Sequence, residues 1–271
     1  MSRSSWRLAL HTWTIDTTPL PEALAAIRTA GWDGAELRYV DFERCRAQGM
    51  DNAAVLKLVR DSGVSVQVLG AEYGLIFAEG AERDRLLASL ELTCSNAVAL
   101  GCPMVMIAPG QNTGTPQTAA ANLRLAALTA AKHGLRFALE FNSQHPVLNS
   151  LRVARDILAA ADHAACGLLL DAYHLQRSGA GGRGFAEVPA RDIFAFQYSD
   201  VPDTPPVARR PTDRLCPGKG LVRWAEVFGL LEEKGYSGCI SYEAPNPAHW
   251  ERPAPETAGE GLAATRALLR N

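Results

Sequence analysis

Three acidic residues close apolar runs in the chain: Glu140 ends RFALE, Asp171 ends GLLLD and Glu243 ends CISYE. A carboxylate carried to the end of a buried strand loses hydration at a cost of several kcal/mol unless it is paired. Three such groups around one opening call for a cation. Gln197, in IFAFQYSD, ends a fourth run and adds a neutral carbonyl oxygen. This donor set is hard and oxygen-only. It suits one divalent cation, Mn²⁺ or Mg²⁺ before Zn²⁺ or Co²⁺, and not a thiolate zinc site. Taken singly, each acid has a plainer use, capping a loop or pairing with an arginine. His174 follows Asp171 on a D-x-x-H spacing that lets both side chains face one cavity. Arg214 carries a guanidinium able to grip vicinal oxygens or a carboxylate in bidentate fashion. Its plainer partners are Asp213 and Asp200.

Such a site fits proton abstraction next to a carbonyl. A cation holding a ketone and its neighbouring hydroxyl polarises the C=O and stabilises an enediolate. A carboxylate within hydrogen-bond reach takes the α-proton, and a second carboxylate or His174 returns one. Return to the opposite face is epimerisation, return to the next carbon is isomerisation, and loss of a β-hydroxyl is dehydration. Further polar residues close the remaining runs. Among them His11, Glu36 and Glu72 stand where substrate contacts are expected, and Trp250 is placed to wall an apolar face of a sugar. Arg209 and Arg210 form a basic pair suited to a phosphate. His133, His145 and His163 lie in or beside helical segments and are expected at the surface. Cys216 has no activating neighbour except Arg214 and Lys219 and is not read as a nucleophile.

These residues need elements to hold them. Helix-period segments end at Gly31, Gly63, Gly101, Gly134 and Gly235, and a short apolar run follows each at once. Glycine suits a left-handed helix exit. Thr115-Pro116 reads as a helix start. Apolar runs fall near 8–13, 35–38, 64–70, 103–108, 136–141, 167–171, 193–198 and 238–243. They are nearly continuous, as strands buried on both faces are. Eight strands alternating with helices predict an α/β fold, a (β/α)8 TIM barrel forming one domain over 1–271. A doubly wound dinucleotide fold would carry glycines after its first strand, and LALHTWT has none. The irregular segments 178–184 and 200–220 follow the sixth and seventh strands, where barrel active-site loops lie.

Composition sets further bounds. The 271 residues are 47% apolar and 21% charged, with 27 basic against 29 acidic side chains. No basic block points to nucleic acid, and no run approaches the roughly 18 apolar residues of a membrane span. The stretch LAL is too short for a secretory leader. The six cysteines include no C-x-x-C pair. They read as reduced thiols in a cytoplasmic protein.

At the strand ends the chain resembles the xylose-isomerase-like TIM-barrel superfamily of sugar isomerases and epimerases. The likeness is nearest to its branch of inosose isomerases, inosose dehydratases and keto-sugar epimerases. The pieces that carry it are ALEFN, GLLLDAYHLQRSG, IFAFQYSDVPD, DRLCPGKG and YSGCISYEAPNP, all in the second half. The resemblance implies a divalent metal held by Glu140, Asp171, Gln197 and Glu243. It implies substrate contacts from His174 and Arg214, and an acid/base pair in Glu140 and Glu243. Many isomerase and epimerase members have His where this chain has Gln197, and Gln there looks more like some dehydratases. The leading expectation is an isomerase or epimerase of a small keto-sugar or keto-cyclitol. A dehydratase of inosose or 3-dehydroshikimate type is the alternative. By fold analogy alone, a homodimer is admissible.

Overall fold

All five helix-ending glycines adopt positive φ, from 65° at Gly101 to 86° at Gly31, where the left-handed turn hands the chain from helix to strand. The computed structural model describes residues 6–206 and 211–270. Arg209 and Arg210, read as a phosphate-binding pair, lie outside the described residues. The strands are β1 (Arg7–His11), β2 (Gly34–Leu37), β3 (Val66–Gly70), β4 (Met104–Ile107), β5 (Arg136–Glu140), β6 (Cys166–Asp171), β7 (Ile193–Tyr198) and β8 (Cys239–Tyr242). They form a closed barrel in sequence order. Every neighbouring pair is parallel, including the closure that sets Leu8 opposite Ile240. Closure excludes the doubly wound alternative.

The helices are α1 (Leu20–Ala30), α2 (Tyr39–Ala47), α3 (Asn52–Asp61), α4 (Gly80–Ala99), α5 (Pro116–Lys132), α6 (Leu151–Ala161), α7 (Ala172–Arg177), α8 (Trp224–Glu233), α9 (Pro247–Trp250) and α10 (Ala254–Arg270). Helix α5 begins as its sequence suggests: Pro116 is its first residue, and the Thr115 hydroxyl accepts the Thr118 N–H at 3.1 Å. Among the described residues no helix is long and apolar enough to cross a membrane.

Two cores result from the period-two alternation of strand side chains. Outward residues such as Phe137, Leu139, Leu168, Leu170 and Phe196 pack against the helices. Inward residues Val68, Met104, Met106, Ala138, Leu169, Phe194 and Ala195 fill the barrel. Two residues beyond Ala138, Leu169 and Ala195 come Glu140, Asp171 and Gln197, so the same alternation turns these inward at the C-terminal mouth. A register shift between β6 and β7 pairs Leu168 with Ile193 but Leu169 with Ala195. Phe194 is the extra residue. The bulge keeps Gln197 on the inner face, paired with Asp171.

Candidate active site

Each functional side chain reaches the mouth by a local device. Asp171 ends β6 and caps α7, its Oδ1 accepting the Tyr173 N–H at 2.8 Å. That short helix brings His174 round to the cavity. Beyond β7, the buried Asp200 pins the long connection to α8 and so delivers Arg214. His11 ends β1 and accepts the Trp13 N–H on Nδ1 at 3.0 Å. Glu140, Asp171, Gln197 and Glu243 are only 1–5% exposed, so their polar atoms depend on one another for partners.

Arg214 is the central counter-charge. Its Nη1 donates to Asp171 Oδ2 at 2.6 Å and stands 2.8 Å from Glu243 Oε2, off the hydrogen-bonding direction. The guanidinium lies over the Tyr173 ring, 4.5 Å from its centroid. Asp213 pairs instead with Arg177 at 2.7 Å, and Asp200 is saturated by N–H donors. Neither of the plainer partners expected for Arg214 is used.

His174 Nδ1 lies 3.2 Å from the Ser143 N–H, which can only donate. Both ring nitrogens face a donor, because Arg214 Nη2 stands 3.2 Å from Nε2. That nitrogen is 3.8 Å from Glu140 Oε1 and 3.9 Å from Asp171 Oδ2. Burial pushes the imidazole pKa down to about 3, with Arg214 adding to the effect and Asp171 opposing it. Burial, helped by Arg38 and Arg214, likewise holds His11 well below its ordinary value. Its Nε2 faces Glu243 Oε1 at 3.3 Å.

The acids shift the other way. Burial, then the charges of Glu243 and Asp171, raises Glu140 well above the usual carboxylate range. Burial raises Glu243 to about 7 against the pull of Arg214, and raises Glu36 to about 8. One arginine cannot neutralise this cluster, so without a further cation the carboxyls take up protons.

The donor set fits a divalent cation. Glu140 Oε1, Gln197 Oε1 and Glu243 Oε2 are buried without hydrogen-bond partners. Ligand atoms of Glu140, Asp171 and His174 lie within 4.8 Å of one another. The oxygens of Glu140, Asp171, Gln197 and Glu243 make a hard donor set, to which His174 adds a ring nitrogen. A cavity of about 330 Å³ opens above them, with Glu140, His174, Arg214 and Glu243 in its wall. Its size suits a small ligand.

Other expected residues fall differently. Trp250 stays out of the cavity: its indole N–H donates to the Trp13 carbonyl at 3.0 Å, and Trp13 forms the wall in its place. Glu72 lines the outer cavity, but Arg85 holds its carboxylate at 2.8 and 3.2 Å. His11 lies beneath the cavity wall, against Glu243. His145 is buried, not at the surface. It stacks on Phe77 at 5.1 Å, and its Nε2 is 2.9 Å from the Asn112 carbonyl. Glu36, named among the strand ends without a definite role, proves central: its Oε1 accepts the Gln197 Nε2–H at 2.8 Å. The one signal for it in the sequence is an acid inside an apolar run, GAEL.

A barrel with a polar, carboxylate-rich mouth defines a class of small-molecule enzymes built on strand C-termini. Residues 24–268 match the model of the xylose isomerase-like TIM barrel, and the chain belongs to that family. It is 30% identical over 260 residues to a 3-dehydroshikimate dehydratase of Pseudomonas aeruginosa, covering 92% of this chain and 39% of that one. It is 31% identical over 129 residues to an inosose isomerase of Halalkalibacterium halodurans, covering 47% and 45%. The chain thus spans less than half the length of these relatives. The structure of the IolI protein with a bound zinc atom superposes with a TM-score of 0.85 at 20% identity, over 97% of this chain and 98% of that one.

Proposed function

We propose that the chain is a divalent-cation-dependent dehydratase of a small polyhydroxylated cyclic ketone, of 3-dehydroshikimate or inosose type. The observation that carries this reading is the inequality of the two glutamates. Glu140 Oε1 has no hydrogen-bond partner and lies 3.8 Å from His174 Nε2. Glu243 is held by Arg214 at 2.8 Å and faced by His11 at 3.3 Å. Epimerisation needs two comparable bases on opposite faces of one carbon. One carboxylate without an arginine ion pair, beside a histidine able to pass a proton to a leaving group, suits elimination.

In this scheme Glu140 removes the proton α to the ketone. The electron pair passes through the enolate and expels the β-hydroxyl, which takes the imidazole N–H proton of His174 and leaves as water. Glu140 then returns its proton to His174, so the ketone yields an enone and water. Arg214 orients substrate oxygens. Asp171, Gln197, Glu243 and the Glu140 oxygen that does not take the proton would hold the cation, which would supply Lewis acidity toward the carbonyl oxygen. The dehydratase relative, matching 92% of this chain, supports the choice. Isomerisation or epimerisation of an inosose is the second reading, and the inosose isomerase relative favours it.

The test is incubation with Mn²⁺ in D2O, offering 3-dehydroshikimate and inososes. Elimination product from either, detected by its ultraviolet absorbance, supports the dehydratase. A rearranged or deuterated ketone without elimination selects the second reading. Neither product nor exchange refutes both.

A further inference from the structure

We infer that Glu36 is the residue that fixes which end of the Gln197 amide is offered to the cation. An amide has two ends of nearly equal size, an oxygen that accepts and an NH2 that donates, and packing alone barely distinguishes them. Only the oxygen can ligate a hard cation. Gln197 is 1% exposed, so water does not choose for it. Its Nε2 donates to Glu36 Oε1 at 2.8 Å, and its own Oε1 is the end left without a partner. With a cation bound and Glu36 ionised, a carboxylate oxygen at that distance rejects the flipped amide, because two acceptors would then meet.

The orienting group comes from far off in the sequence. Glu36 lies on β2 and Gln197 on β7, with β1 and β8 between them in the closed barrel. Glu36 is 1% exposed itself, and among the described residues its nearest histidine contact is His11 Nε2 at 3.9 Å. It is a positioning residue, acting through Gln197 and not on substrate. The inference rests on the cation-dependent reading above, and it explains how an amide serves among carboxylates: the neighbouring acid keeps its oxygen presented. Groups that orient ligands from behind typically change metal affinity by about 10–100-fold.

The experiment is Mn²⁺ titration of the metal-free full chain, read by the loss of the free-ion electron paramagnetic resonance signal. Circular dichroism confirms the fold of each variant. Glu36→Leu removes the acceptor and is expected to weaken Mn²⁺ by about 10–100-fold. Glu36→Gln, an isosteric change that allows either amide orientation, is expected to lose less, by roughly threefold to tenfold. An imidazole at 197 ligates through a ring nitrogen and has no oxygen end to be chosen, so Gln197→His should bind Mn²⁺ with little dependence on Glu36. Equal affinity in wild type and both Glu36 variants overturns the inference while leaving the cation reading intact. So does an equal loss in the Gln197→His background, which would mark Glu36 as generally structural. Failure of the wild type to bind Mn²⁺ overturns the reading and the inference together.

Discussion

Replacing Asp200 by Asn changes one atom and should unfasten the loop that carries Arg214. Asp200 is 0% exposed. Its Oδ1 accepts the N–H groups of Val201 at 3.0 Å and Val222 at 2.9 Å. Its Oδ2 accepts the Gly218 N–H at 2.8 Å and the Trp224 indole N–H at 2.9 Å. Its main chain also exchanges two hydrogen bonds with Leu215, of 2.8 and 3.0 Å. One side chain thus clamps both ends of the connection between β7 and α8. An Asn amide would set an NH2 against two of these four donors, whichever way it turned. Each buried donor left unsatisfied costs about 1–3 kcal/mol, so Asp200→Asn should cost about 2–6 kcal/mol. That is a large share of a typical folding free energy of about 5–15 kcal/mol. Guanidinium unfolding should show a lower midpoint at unchanged slope. Limited proteolysis should cut the 201–221 segment before the rest of the barrel opens. A loss below about 1 kcal/mol, with no new cleavage there, would refute the clamp.

Other perturbations test the charge balance. Glu243→Gln removes one of the buried acids and should weaken Mn²⁺ at least about tenfold by titration calorimetry; unchanged affinity would exclude Glu243 as a ligand. Arg214→Met strips Asp171 and Glu243 of their guanidinium. The metal-free variant should lose about 3–5 kcal/mol and gain more stability from added Mn²⁺ than wild type does, with an equal gain counting against the pairing. Glu36 and Glu243, raised to about 8 and about 7 from 4.5, bind protons more tightly folded than unfolded. The stability these two acids contribute to the metal-free protein is therefore fully present below about pH 4.5 and is lost as pH rises toward 8, by up to about 5 kcal/mol for Glu36 alone; the lowered pKa values of His174 and His11 act the other way below about pH 6.5, so the net decline falls between about pH 6.5 and 8. A flat profile for the chelated protein, or one rising over that window, would contradict the burial of these acids.

The barrel was legible because its signals are local. A glycine that turns left-handed marks five of the helix exits, and continuous apolar runs mark strands covered on both faces. Period-two alternation then sends Glu140, Asp171 and Gln197 inward once their strands are placed. The loop carrying Arg214 was legible as an irregular, proline-rich stretch after the seventh strand. Partners were not legible, because they depend on closure, tilt and loop path. Arg214 chose Asp171 and Glu243 over Asp213 and Asp200 because Arg177 and four N–H donors already occupy the latter pair. Glu72 met Arg85 of α4, and Trp250 turned toward Trp13, away from the cavity. His145 went inside because two backbone N–H groups donate to its Nδ1, at 3.1 and 2.9 Å, a pairing no spacing announces. The amino-acid sequence by itself determined the strands, their inward faces and the acids at their ends, since these follow from backbone geometry over a few residues. Only the tertiary structure decided that Glu36 would reach Gln197 across the mouth, because that contact exists only when β1 closes on β8.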